Sequence, residues 1–259
     1  MKTRAVKKNG DWHLSGQKVF ITNGGIADVH VVVAAVEPEL GTRGQASFVI
    51  GKGAKGLSMG KKEKKMGIRA SHTAEIILDD VVVPSDQLLG GEEKLEAKLA
   101  RARSGEHGRS SVALKTFETT RPVVGAQALG IARAAFEFAR DYAKERIAFG
   151  KPIIENQAIA FKLADMATEI EAARMLVWRA LWMSRHGGEF KMAEGSMAKL
   201  KCGEVAVKVT EDAIQILGGY GYIRDFPVEK WHRDAKIYTL FEGTSEIQRL
   251  VISRAIAQN

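Results

Sequence analysis

The sequence predicts an α+β protein in which a strand-rich first part is followed by a helical bundle. Two observations carry that expectation. Up to about Gly91 the chain consists of short β-branched runs separated by turns, and 15 of the 26 glycines fall within the first 110 residues, a density that suits turns and not helices. From about Ser111 alanine becomes common, glycine thins out, and apolar residues recur three or four apart, the helical period.

Taken in order, Trp12 to Thr22 carries β-formers and runs into the turn signal Asn23-Gly24-Gly25. Val29 to Val36 is short and β-branched and stops at Glu37-Pro38, as a buried strand does. Ala46 to Ile50 and Ala74 to Val83 are further strands, the last closed by Pro84. The stretch from Glu92 to Arg109 is rich in both charge signs and is expected to be a solvated insertion. It would hold a short exposed helix through Lys94, Leu95, Lys98 and Leu99, followed by a flexible Arg103-Ser104-Gly105 loop. Beyond it Val124, Ala128, Leu129, Ala132, Phe136 and Ala139 form one helical stripe, and Ile159, Leu163, Met166 and Ile170 form another. A third helix is expected over Met192 to Leu217, ended by Gly218-Gly219. Two shorter helices follow, from Glu229 to Leu240 and from Ser245 onward. Long helices joined by short loops predict antiparallel neighbours.

Composition narrows the function. The single cysteine, Cys202, excludes a disulfide framework and a multi-cysteine metal site, so no metal is expected and a reducing compartment such as the cytoplasm suits the chain. No apolar run approaches the roughly 20 residues that span a bilayer, and residues 1–8 lack the apolar core of a signal peptide. The formal charge of +8 points to an anionic partner. Nucleic acid is the obvious candidate, with Lys61-Lys62-Glu63-Lys64-Lys65 as its best feature, but that run lacks interleaved aromatics. The charge is also spread, 18 basic against 13 acidic residues to Ser110 and 21 against 18 beyond, so neither half concentrates a binding face.

Three segments hold more than packing requires. Around Arg146-Ile147-Ala148-Phe149-Gly150-Lys151-Pro152, with Gln157 after it, a helix ends in a loop carrying a cation and an aromatic ring. Such a loop can clamp a phosphate and stack a flat ring; taken alone, an ordinary helix–helix turn explains it as well. Gln215 to Tyr222 includes Gly218, Gly219 and Gly221, which lets backbone amides approach a phosphate or merely caps a helix. Glu242 falls between two helices, beside Phe241 and Gly243. A desolvated carboxylate there can serve as a general base, or it can simply complement the positive end of the helix that follows.

Together these segments resemble the acyl-CoA dehydrogenases, flavoenzymes that introduce a trans-2 double bond into acyl-CoA thioesters. Leu14 to Gly25 is similar to the family's flavin-contacting strand, and Asp79 to Pro84 to the strand before its helical domain. Phe117 to Pro122, Arg146 to Gln157, Gln215 to Gly221 and Asp234 to Arg249 follow in the family's order. The resemblance implies an antiparallel β-domain (residues 1–91), a charged linker (92–110) and an antiparallel four-helix-bundle domain (111–259). It implies FAD held at the interface of a homo-oligomer, a dimer or a dimer of dimers. Phe20, Ile21 and Thr22 would lie against the flavin ring; Arg146, Phe149 and Gln157 would hold its pyrophosphate and adenine ends. Gln215, Gly218 and Gly219 would add to the adenosine pocket, and Thr244 and Glu246 would also touch FAD. Glu242 would be the catalytic base of the short- and medium-chain pattern, with its own N–H contributing to an oxyanion hole. Gly243 would make room for the thioester, and Glu118 and Arg121 would contact CoA. An electron-transferring flavoprotein would be the electron acceptor, in the cytoplasm or, in a eukaryote, the mitochondrial matrix.

The pattern also predicts departures. The family's N-terminal helical domain has no counterpart in the 259 residues, so the chain is expected to be a fragment or to need a partner, and to expose apolar surface. Two alternatives remain beside catalysis by this chain. It could be a non-catalytic subunit of a heteromeric dehydrogenase, or an oxidase that passes electrons to oxygen.

Overall fold

The computed structural model describes residues 1–105 and 112–258, with side chains from residue 117 onward in the second stretch. Arg109 and the boundary expected at 110/111 lie outside the described residues. Two compact units emerge, one from Met1–Lys65 with Arg69 onward, the other from Met66–Ile68 with Val112 onward.

The first unit is a six-stranded sheet in the order β4-β3-β1-β2-β6-β5. Its strands are β1 (Arg4–Lys8), β2 (Asp11–Thr22), β3 (Val29–Ala35), β4 (Gln45–Gly51), β5 (Leu57–Lys62) and β6 (Thr73–Val83). Neighbours are antiparallel except at Arg4↔Ala35, where β1 meets β3 in parallel. Alternation places Ala46, Phe48 and Ile50 of β4 on the buried face, the period-2 signature of a half-buried strand. They pack with Trp12, Leu14, Ile76, Leu78, Val81 and Val83. The strands β1 and β5 are absent from the sequence-based expectation. For β1 the missed signal is Asn9-Gly10, both at positive φ (51° and 95°), a two-residue hairpin turn.

The charged stretch expected to be a solvated insertion is corrected in its first part. Glu92–Arg103 form α1, and Leu95 and Leu99 join the sheet's core. Its charges line the outer face, with Arg103 paired to Glu37 and Glu96. The apolar positions four apart are the part of the pattern that decides burial.

The second unit contains α2 (Val112–Glu145), a hairpin of β7 (Ile147–Ala148) and β8 (Lys151–Pro152), α3 (Gln157–Arg185), α4 (Glu194–Leu217), α5 (Gly219–Tyr222), α6 (Val228–Ala235) and α7 (Ser245–Gln258). Helices α2, α3 and α4 pack on one another, and α7 packs on α4. The seam is built from small residues: Ala128, Ala132, Ala135, Ala139 and Ala143 on α2 meet Ala198, Cys202 and Ala206 on α4. Two local expectations change. The expected Gly-rich loop forms one helical turn, α5, after Gly218 (φ 61°) ends α4. The helix expected over Glu229 to Leu240 is α6 followed by a 3-10 turn, Lys236–Thr239. Among the described residues no helix is long and apolar enough to cross a membrane.

Candidate active site

Glu242 sits where the 3-10 turn ends and α7 begins. Its backbone is left-handed (φ 55°), as is that of Gly243 (φ 90°). For a glutamate this conformation is disfavoured, by roughly 1–3 kcal/mol when imposed at a functional site, so neighbouring groups must enforce it. Gln248 Nε2, buried on α7, donates to the Glu242 carbonyl at 3.0 Å and to the Gly243 carbonyl at 2.8 Å. Lys199 Nζ, from α4, donates to the same Gly243 carbonyl at 2.6 Å. A Cβ on Gly243 would come within 2.7 Å of Gln248 Nε2, which explains the glycine. The Glu242 carboxylate is half-buried and accepts from the Thr120 hydroxyl at 3.5 Å.

Behind this break lies a buried polar cluster. Arg121, only 4% exposed, donates through Nη1 to Glu118 Oε2 at 2.6 Å and to Ser196 Oγ at 2.7 Å. Glu118 also accepts from the backbone N–H and the hydroxyl of Ser196, both at 2.9 Å. Glu118 and Arg121, expected to contact CoA, are thus engaged with each other and with Ser196 inside the bundle. Ser196, Lys199 and Gln248 were absent from the sequence-based site. The signal for Lys199 was its register, since it lies on the stripe with Gly195, Cys202 and Ala206, all buried. Thr244 accepts the Ile247 N–H through Oγ1 at 3.4 Å. The carboxyl of Glu246 is held below its ordinary range, chiefly by its own backbone N–H and by the Thr244 hydroxyl. Among the described residues the buried atoms Arg121 Nε, Ser245 Oγ and Gln248 Oε1 have no partner, an arrangement that favours completion by a polar group.

A second cluster forms at the far end of α2. The Arg146 guanidinium stands 5.8 Å from the centroid of the Tyr220 ring, a cation–π distance. Tyr142, Arg146, Gly218, Gly219 and Tyr220 line an open cleft of about 500 Å³. Arg146, Gly218 and Gly219 are thus brought together in one cleft. Gln215 is exposed on the last turn of α4 and Gln157 on the first turn of α3. Phe149 occupies the hairpin tip, 95% exposed and at φ 55°; neither it nor Gln157 lines the cleft. A larger cleft of about 570 Å³ runs along α3 and α4, beside Phe161, Lys162 and Asp212, and holds none of the expected site residues.

In the sheet unit, Phe20 lies at a bulge between the pairs Lys18↔Ile76 and Ile21↔Ala74. Its backbone is left-handed (φ 58°) and its ring is 72% exposed. A bulge re-aims a side chain and ends regular pairing. Ile21 is half-buried, and Thr22 is exposed at the end of β2.

Residues 110–257 match the family model for the acyl-CoA dehydrogenase C-terminal domain, and residues 1–81 match that for its middle domain. The chain belongs to the acyl-CoA dehydrogenase family. An acyl-CoA dehydrogenase of Bacillus subtilis is 47% identical over 254 residues, 98% of this chain and 63% of the relative. A short-chain-specific acyl-CoA dehydrogenase of Clostridium acetobutylicum is 43% identical, again over 98% and 63%. The solved structure of butyryl-CoA dehydrogenase from Megasphaera elsdenii superposes with a TM-score of 0.89 at 42% identity, covering 99% of this chain and 63% of that one. The chain therefore spans 63% of the length of these relatives.

Proposed function

We propose that the chain acts in flavin-dependent α,β-dehydrogenation of acyl-CoA thioesters to trans-2-enoyl-CoA, with Glu242 as the base. One observation carries the reading: a carboxylate stands on a left-handed break that Gln248 and Lys199 lock from two helices. A base fixed in this way loses little freedom on reaching the reacting carbon. Glu242 would take the α-proton, and its backbone N–H would help to stabilise charge developing on the thioester oxygen. Bound FAD would accept the β-hydrogen as hydride.

The polar surfaces fit that cofactor. Arg146, Gly218 and Gly219 offer a cation and a glycine-lined wall to a pyrophosphate or adenosine group, with Gln215 beside them. Thr244 and Glu246, next to the orphaned Ser245 hydroxyl, offer a second polar contact. Phe20, Ile21 and Thr22 supply the ring-facing strand end. Phe149 and Gln157 suit the FAD of a neighbouring subunit, which favours a homo-oligomer, and an electron-transferring flavoprotein is the acceptor of choice. Gly243 leaves space for the thioester. In the FAD-loaded protein, Glu242→Gln is expected to lower turnover by at least about 100-fold, the usual contribution of general-base catalysis. A loss of under tenfold, about 1.4 kcal/mol, overturns the assignment. Reduced protein that reoxidises faster with oxygen than with electron-transferring flavoprotein would point to an oxidase instead.

A further inference from the structure

Lys199 is buried at 1% exposure on the central helix α4. An unpaired ammonium there is costly, and an apolar side chain of similar length would fill the same space without that cost. Among the described residues it makes no ion pair within 4.0 Å, and its hydrogen bond goes to the carbonyl of Gly243. That carbonyl belongs to the residue immediately after Glu242. It accepts twice, from Lys199 and from Gln248, so both of its lone pairs are engaged.

We propose that Lys199 is a positioning residue for Glu242: its ammonium, anchored on α4, clamps the Gly243 carbonyl and so holds the strained Glu242-Gly243 break in the conformation that aims the carboxylate. The proposal rests on the reading of Glu242 as the base. A left-handed glutamate relaxes toward ordinary backbone unless the peptides around it are held. Gln248 holds the break from α7, only five and six residues along the chain, which leaves a direct tie to the central helix α4 to another group. Lys199 makes that tie across 44 residues of sequence. The charged groups facing it are Arg121 on α2, Glu242 in the break and Glu246 on α7. Burial, and after it Arg121, lowers its pKa to about 8, while Glu242 and Glu246 oppose that fall. The charge of the base therefore helps to keep the clamp protonated.

The test compares Lys199→Met, Lys199→Gln and Lys199→Arg with the unaltered FAD-loaded protein. Amide hydrogen exchange over residues 240–248 is read first, because it needs no turnover. Loss of a charge-assisted hydrogen bond predicts exchange at least about tenfold faster there in Lys199→Met, with α2 and α3 unchanged and protection restored by Lys199→Arg. With butyryl-CoA, kcat is expected to fall by at least about tenfold at near-constant KM. Unaltered exchange at 240–248 in a folded Lys199→Met or Lys199→Gln protein overturns the proposal, as does a defect confined to KM. Turnover that survives Glu242→Gln within about tenfold would instead sink the reading of Glu242 as the base, while the exchange result still decides what Lys199 holds.

Discussion

Glu242 and Lys199 show how a single residue can carry a cost that only a neighbour explains. The left-handed glutamate is strained, and the buried lysine is poorly solvated; each is tolerable because the Gly243 carbonyl links them. The lysine's cost has a measurable pH signature. Its pKa is about 8 in the folded protein against an ordinary 10.5. Below pH 8 both folded and unfolded chains hold the proton, and the full penalty of burying the charge is present. Between about pH 8 and 10.5 the unfolded chain holds more protons than the folded one, so stability rises with pH in that window. Against Lys199→Met, which has no such group, the unaltered protein should gain roughly 1–3 kcal/mol between pH 7 and pH 10. Urea midpoints at the two pH values measure this, and a constant difference between the proteins would mean that the ammonium is effectively solvated.

At the scale of elements, α4 organises the helical unit because it can be approached closely. A Cβ on Gly203 would lie 2.6 Å from the carbonyl oxygen of Tyr238, in the 3-10 turn that leads to Glu242. Alanine favours a helix by about 1 kcal/mol over glycine, but pushing backbone away from backbone costs typically 1–3 kcal/mol. Gly203→Ala should therefore be neutral to destabilising by about 2 kcal/mol, seen as a lower urea midpoint, and should lower turnover by displacing the turn. A clear stabilisation would mean that the turn is not seated on α4. The same packing explains what the sequence could and could not reveal. The strands Val29–Ala35 and Gln45–Gly51 were legible because β-branched runs end at turn residues. The edge strand β5 was hidden by Gly60 and the lysines around it; the helix α1 was expected, and its surrounding charges concealed only the burial of Leu95 and Leu99. Glu242 stood out through its place between two helices and through family resemblance. Lys199 did not, because its role exists only once α4 and the loop after the 3-10 turn are brought together. Glu118 and Arg121 were assigned to CoA through family resemblance, which carries no information about their bonds to Ser196.

For the molecule as a whole, the excess of eight positive charges suits polyanions such as FAD and acyl-CoA, and one buried thiol offers a way to test the cofactor. Cys202 is fully buried in the seam of the helical unit, with Ala173 O as its acceptor at 3.7 Å. Burial pushes its pKa up to about 12, so at pH 8 the reactive thiolate is scarce as well as shielded. Labelling by a disulfide reagent must then wait for the helical unit to open. Relative to the chain in denaturant it should be at least about 1,000-fold slower, given the several kcal/mol needed to open a core. The sheet unit holds no cysteine, so the rate reports the helical unit alone. If FAD binds the native helical unit, opening is opposed by the binding free energy. FAD at 100 times its Kd should slow labelling by a further factor of about 100. A labelling rate independent of FAD would show that the native form of this unit does not bind the cofactor in preference to the open one, and the roles proposed for Arg146, Gly218 and Thr244 would fall together.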